Sequence, residues 1–130
     1  MPVNHFLIPL EWEGKLLFSE LWVDPDAGEE GQNGGTRKNG VRLLLKMDVQ
    51  PLGLFDVILQ TREREVDLRI ACPEKVGGFA KEIEGAVSRI LAANGLTVQN
   101  VTVRKMDRPV TLTEVFPQIF EGKNSVNVKV

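Results

Sequence analysis

The sequence is short of the residues that most catalytic and metal sites use. It has one cysteine (Cys72), one histidine (His5) and no tyrosine. A lone cysteine cannot form an internal disulfide, which favours a reducing, cytosolic compartment, although a protein exported unfolded would look the same. One histidine and one cysteine far apart in sequence cannot supply a zinc site of the usual kind. We therefore predict no metal and no cofactor.

Neither sign of charge is in excess, and long apolar runs are missing. The net charge is −2, whereas nucleic acids and anionic membranes bind concentrated basic surfaces, so neither is an expected partner. No run of about 18 apolar residues is present, which excludes a membrane-spanning helix. The segment from Met1 to Leu10 has no lysine or arginine and carries Pro9 in its apolar part. It is therefore not a secretory signal peptide.

What the chain does have is the composition of one globular domain, spanning residues 1–130, with 42% hydrophobic and 26% charged residues. Residues 24–40 are the exception, because they contain no apolar side chain larger than alanine. We predict a mobile, acidic and glycine-rich loop there. Counted from Asp24, an EF-hand would need glycine at the sixth position and glutamate at the twelfth, but Glu29 and Gly35 stand there.

Several segments have the pattern of β-strands. Val66, Leu68 and Ile70 alternate with Asp67 and Arg69, which is the two-residue period of a sheet with one solvated face. Because arginines alternate with acidic residues along 62–69, we expect them to pair across strands on that face. The predicted strands are His5–Glu11, Lys15–Val23, Val41–Val49, Leu54–Gln60, Val66–Ala71, Leu96–Lys105 and Asn124–Val130.

Glycine and proline mark the turns between these strands. Gly14 can supply the positive φ of a hairpin turn after Trp12. Pro51 cannot donate to a strand ladder and Gly53 tolerates a turn, so the sheet should break there, with Leu52 free to enter the core.

One long amphipathic helix is predicted over residues 74–94, opened by Pro73 and closed by Gly95 at the C′ position. Gly77 and Gly78 cost about 1 kcal/mol each relative to alanine, so fraying is expected in the first turns. The apolar residues recur at spacings of three and four, as on one side of a helix: Val76, Phe79, Ile83, Ala86, Val87, Ile90 and Leu91.

The expected fold is therefore α+β, a mixed β-sheet with this helix packed on one face and an N-terminal hairpin. Residues 106–130 form a C-terminal extension. A short helix falls within Leu112–Phe120, limited by Pro117, and the last strand follows.

Few residues qualify as functional candidates. A Cys72–His5 nucleophile pair would need the fold to join them, and a small buried cysteine at a strand end is the favoured interpretation. Trp12 and Trp22 are of the type enriched in binding hot spots, but closing the core and capping the sheet edge is the favoured use.

Residues 43–103 resemble the C-terminal domain of the flagellar hook-length control family. The resemblance starts with Leu45-x-Met47-x-Val49-x-x-Leu52-Gly53-x-Phe55-Asp56-Val57-x-Leu59, an alternating strand, a Leu-Gly break and a second alternating strand with an acidic residue. It continues through Val66-Asp67-Leu68-Arg69-Ile70 and the helix to Gly95-Leu96-Thr97-Val98-x-x-Val101-x-Val103. The chain departs from the family at Val49, where proline is common, and at Phe55, where a small aliphatic residue is usual.

The resemblance implies a non-enzymatic, protein-binding role in flagellar type III export. Such a domain contacts the cytosolic part of the export-gate protein and switches secretion from hook-type to filament-type substrates, which controls hook length. The expected location is cytoplasmic, with export through the flagellar channel as an extension. A monomer is favoured. The family's length-measuring segment is missing, so the chain is expected to be a fragment or a shortened relative.

We place the expected partner surface at the strand break and on the exposed side of the helix, from exposure rather than from any motif. Its residues are Gln50, Pro51, Leu52, Gly53, Lys75, Lys81, Glu82 and Arg89. Two alternatives stay open: a small enzyme or ligand-binding domain that uses Cys72 or His5, and an adaptor of an unrelated pathway with the same architecture.

Overall fold

The computed structural model describes residues 3–27, 40–117 and 126–129, and it has the predicted α+β architecture. Seven strands form one mixed sheet in the order β6-β5-β4-β3-β2-β1-β7. The strands are β1 (Val3–Trp12), β2 (Lys15–Asp24), β3 (Arg42–Val49), β4 (Gly53–Arg62), β5 (Glu65–Cys72), β6 (Thr97–Lys105) and β7 (Val126–Lys129).

Neighbouring strands from β1 to β5 pair antiparallel. Short turns connect three of these pairs, as antiparallel pairing allows, and residues 25–41 connect β2 to β3. The β1–β2 turn has two residues with positive φ, Glu13 (49°) and Gly14 (77°), and the β4–β5 turn has one, Glu63 (56°). The predicted hairpin at Gly14 is thus confirmed. The parallel β5–β6 pair needs a crossover connection, and the helix lies in that crossover.

The cross-strand register divides the side chains between two faces of the sheet. Face A is the more apolar one. Its positions on β5 and β6 include Val66, Leu68, Cys72 and Val103. Its apolar positions on β1 to β4, which we call the floor, are Phe6, Ile8, Leu10, Trp12, Leu17, Leu21, Val23, Leu43, Leu45, Met47, Val49, Phe55, Val57 and Leu59.

Face B is mixed, and the C-terminal segment covers its middle. Val115 and Phe116 pack there against Val3, Trp22 and Leu44, and all five side chains are buried. This cluster is the hydrophobic core on face B.

A buried carboxylate fastens the C-terminal segment to face B. Asp56 is 4% exposed; its Oδ1 accepts a hydrogen bond from Lys46 Nζ at 3.0 Å, and its Oδ2 accepts one from the backbone N–H of Val110 at 2.8 Å. Arg42 adds a second attachment by donating to the carbonyl of Val115 at 3.3 Å. Burial of a charge without such partners would be costly, so these contacts fix where the segment lies.

The helical segment packs on face A at the β6 end of the sheet. It begins as a 3-10 helix at Glu74–Phe79 and continues as α1 (Ala80–Ala93). Of the face A side chains at that end, Val66, Cys72 and Val103 are buried, whereas Ile70 and Val101 are partly exposed. Glu84 reaches the sheet edge, where its Oε1 accepts the backbone N–H of Val103 at 3.0 Å.

The helix agrees with the sequence prediction in extent and differs in detail. The turns that contain Gly77 and Gly78 are 3-10 rather than α, which fits the low helix propensity of glycine. Gly95 has φ of +78° and ends the helix as predicted. Phe79 and Ile90, assigned to the buried stripe, are instead 62% and 61% exposed.

The remaining connections agree with the prediction where the structure describes them. Within the predicted C-terminal helix, the structure gives α2 (Leu112–Val115), and residues 118–120 of that prediction lie outside the described residues. The Thr111 hydroxyl caps α2 by accepting the N–H of Glu114 at 3.3 Å. The predicted last strand is present as β7, parallel to β1. For the predicted mobile loop at 24–40, residues 28–39 lie outside the described residues, and its ends meet where Ala27 N–H donates to Gly40 O.

We expect Gly53→Val to destabilise the protein by roughly 1–3 kcal/mol. Gly53 has φ of +121°, and a β-carbon there would lie 3.2 Å from Pro73 Cγ. Gly78→Ala is the matched control: no atom lies within 4 Å of its added β-carbon, and we expect a neutral or slightly stabilising effect. Urea unfolding of both variants measures the difference, and equal midpoints would contradict the role given to Gly53.

Candidate functional site

Exposed apolar side chains concentrate at one end of the sheet, where the β1–β2 hairpin and the β3–β4 turn lie. The hairpin extends beyond its neighbour, because the pairing of β2 with β3 stops at Ser19 and Met47. We call this region the apolar end. It holds five of the seven exposed large hydrophobic residues among those described: Leu7, Trp12, Leu16, Phe18 and Leu54.

The hairpin is apolar on both of its sides. Leu16 and Phe18 point to face B and are 66% and 62% exposed. Trp12 and Leu17 belong to face A. An antiparallel hairpin with one solvated side would alternate apolar and polar residues, so this one lacks a side suited to water.

A shallow hollow lies on each side of the sheet at the apolar end. The face A hollow has a volume of about 310 Å³ and a nearly wholly apolar lining, which includes Trp12, Met47, Leu52 and Phe55. The face B hollow is about 300 Å³ and lies between Phe18 and Leu54, with Lys46 and Asp48 among its lining residues. Each hollow is large enough to take one large side chain of another molecule.

The structure brings part of the predicted partner surface together at this end. Lys75 Nζ donates a hydrogen bond to the carbonyl of Pro51 at 3.3 Å, which ties the start of the 3-10 helix to the turn. Leu52 lines the face A hollow instead of being fully buried. Gln50 and Pro51 are exposed on the same turn.

The other three predicted partner residues lie apart from the turn. Lys81, Glu82 and Arg89 are exposed on α1, beyond the 3-10 segment that holds Lys75. They form a charged strip along the helix rather than a continuation of the apolar end.

The two tryptophans have different environments. Trp22 is buried in the face B core and stacks on His5, with ring centroids 4.6 Å apart and planes 10° from parallel. Trp12 is 42% exposed and borders the face A hollow. Of the favoured interpretation, that the tryptophans cap the sheet edge and close the core, core closure describes Trp22 and does not describe Trp12.

Cys72 and His5 do not form a nucleophile pair. They lie on β5 and β1, separated by three strands and on opposite faces, which places them about 19 Å apart at the usual strand spacing. Cys72 is fully buried, and that burial raises the pKa of its thiol. Among the described residues there is also no group of three or more His, Cys, Asp or Glu placed to hold a metal ion.

Sequence reasoning missed the exposed residues Leu7, Leu16, Phe18 and Leu54. A usable signal exists in the consecutive run Leu16-Leu17-Phe18, because three adjacent apolar residues in a strand must place some on each face. In a hairpin at the end of a sheet, one of those faces has little to cover it.

We expect the Cys72 thiol to react with a disulfide reagent at pH 8 far more slowly in the folded protein than in denaturant. Burial shields the sulfur and the raised pKa keeps it protonated, whereas a reactive cysteine is an exposed thiolate. The time course of thionitrobenzoate release measures both rates. Equal rates with and without denaturant would show an accessible, activated thiol and would reopen the catalytic alternative.

No helix in residues 3–27, 40–117 or 126–129 combines the length and hydrophobicity needed to cross a membrane. Comparison of the chain with protein-family models, curated proteins and solved structures finds no match.

Proposed function

We propose that this is a non-enzymatic domain that works by binding another protein at the apolar end. The observation that carries the proposal is the clustering of Leu7, Trp12, Leu16, Phe18 and Leu54, all large, apolar and exposed. Contiguous exposed apolar surface is uncommon in monomeric proteins and marks sites of interaction.

The local chemistry suits an interface with an apolar centre and a polar margin. Trp12 and Phe18 can supply the buried aromatic anchors on which interfaces depend, and the hollows beside them can accept anchors from the partner. Around them stand Glu11, Glu13 and Lys15, all exposed at the hairpin tip. Such rim charges contribute more to the rate and specificity of association than to its strength.

For the partner we propose the cytosolic domain of the flagellar export-gate protein, with control of hook length through the export switch as the biological outcome. The support is the resemblance of residues 43–103 to the hook-length control family. The Leu52-Gly53 break that carries much of this resemblance belongs to the apolar end, next to Lys75. A cytoplasmic location, with later export through the channel, is part of the same proposal.

Two single substitutions test the site. We expect Leu16→Ser and Phe18→Ser each to weaken binding to the purified export-gate cytosolic domain by about tenfold or more, because truncating an interface anchor typically costs at least 1–2 kcal/mol. Both side chains are more than 60% exposed, so the free energy of unfolding should change by less than about 0.5 kcal/mol. Isothermal titration calorimetry gives the affinities.

Ile90→Ser is the matched control, because Ile90 is equally exposed, at 61%, but lies near the end of α1. Its affinity should equal that of the parent. A parent domain that does not bind the export-gate domain would refute the proposed partner, and equal losses in all three variants would refute the apolar end as its site.

A further inference from the structure

Among the described residues, the helix covers face A at its β6 end. Val66, Leu68 and Cys72 there are each at most 5% exposed, and Ile70 beside them is partly exposed. Leu45 and Val57 lie opposite each other on β3 and β4, in the middle of the sheet, and yet remain partly exposed. A large apolar side chain at the centre of a sheet is normally buried, so in the part of the chain that the structure describes the floor has no second layer.

The residues outside the described ranges do not have the composition to supply that layer. Residues 28–39 contain no apolar side chain larger than alanine, and residues 1–2, 118–125 and 130 contain Met1, Ile119, Phe120 and Val130. Four side chains cannot cover the fourteen apolar positions of the floor.

The width of the floor favours a sheet over a helix as its cover. Four strands span about 19 Å at the usual spacing, whereas one helix is about 10 Å across and would leave half of them bare. The apolar positions occupy roughly 450 Å² in projection, at about 33 Å² for each side chain on one face of a sheet. Two such patches would bury roughly 900 Å² together, which is the size of a small, weak interface.

The charge of the floor favours a partner with the same surface. Among the face A positions of β1 to β4, only Lys15 at the hairpin tip is charged. In a two-fold interface, the same surface patch of two copies meets face to face. A patch with net charge of one sign would therefore repel the same patch on the other copy, whereas a neutral patch would not. A second copy of this chain presents a neutral, apolar sheet surface of the same width as the floor.

The helix provides a wall beside the floor. Glu84 contacts the outer edge of the sheet at Val103. Phe79 and Ile90 lie well over 100° around the helix axis from Glu84, so they are on the side of the helix that points inward over the sheet. Sheets pack about 10 Å apart, close to the thickness of a helix layer. A second sheet can therefore lie on the floor with its edge against Phe79 and Ile90.

We propose that two copies of this chain associate floor to floor about a two-fold axis, with each helix flanking the sheet edge of the other copy. The proposal replaces the monomer expected from the sequence. It shares Trp12 and the face A hollow with the export-gate proposal, because both belong to the floor and a second copy would cover them. The dimer leaves the face B part of the apolar end, Leu7, Leu16, Phe18 and Leu54, accessible to the export-gate protein.

The purified chain alone tests this by sedimentation equilibrium over roughly 1 µM to 1 mM, a span suited to a small interface. We expect a reversible monomer–dimer equilibrium. Leu45→Glu should raise the dissociation constant by about tenfold or more, because it buries a charge at the interface. Leu7→Glu is the matched control on face B and should leave the constant unchanged.

Charge rescue separates an interface effect from a folding effect. Leu45→Lys alone should also stay monomeric, while a mixture of Leu45→Lys and Leu45→Glu should form a mixed dimer, because the two charges meet near the two-fold axis. Two monomeric variants that do not associate when mixed would overturn the floor-to-floor arrangement.

Met47 gives a test without any substitution. It lies on the floor, whereas Met106 follows β6 outside it. With methyl-labelled methionine, the Met47 signal should become protected from a soluble paramagnetic agent as protein concentration rises, and the Met106 signal should not. A chain that remains monomeric at every concentration, or equal behaviour of both methyl groups, would overturn the proposal.

Discussion

The architecture depends on how much apolar sheet surface one helix can cover. Residues Ala80–Ala93 form a single helix over the β5–β6 end, while the apolar side chains of face A continue across four more strands. A two-layer domain of this width commonly needs more than one helix on such a face. Among the described residues, the shortfall leaves partly exposed aliphatic side chains in the centre of the sheet.

On face B, the C-terminal segment supplies a second layer over the sheet. The C-terminal segment contributes Val115 and Phe116 to a core with Trp22. Its path is fixed by polar contacts as well as by packing, since the carboxylate of Asp56 accepts from both Lys46 and the N–H of Val110. The acidic residue in the resemblance to the hook-length control family thus has a structural use here.

Much of this fold could be predicted from local pattern. The strand from Val66 alternates cleanly and the helix is bounded by Pro73 and Gly95, so elements and caps followed from short-range chemistry. The layering could not be predicted the same way. Whether Phe79 is buried depends on the position of the helix over the sheet, and the exposure of Phe18 depends on a hairpin that outruns its neighbouring strand. The burial of Phe79 and the exposure of Phe18 depend on contacts between elements, which the periodicity of one segment does not predict.

Parallel pairing of the first and last strands has a mechanical consequence. Val3 lies opposite Val126 and Phe6 opposite Lys129, so the chain enters β1 and leaves β7 at opposite ends of the paired stretch. Tension applied through the two flanking segments therefore loads the hydrogen bonds of this short ladder in shear, all together. A pulling force of this kind must break the hydrogen bonds between β1 and β7 together before the hairpins can unfold one after another.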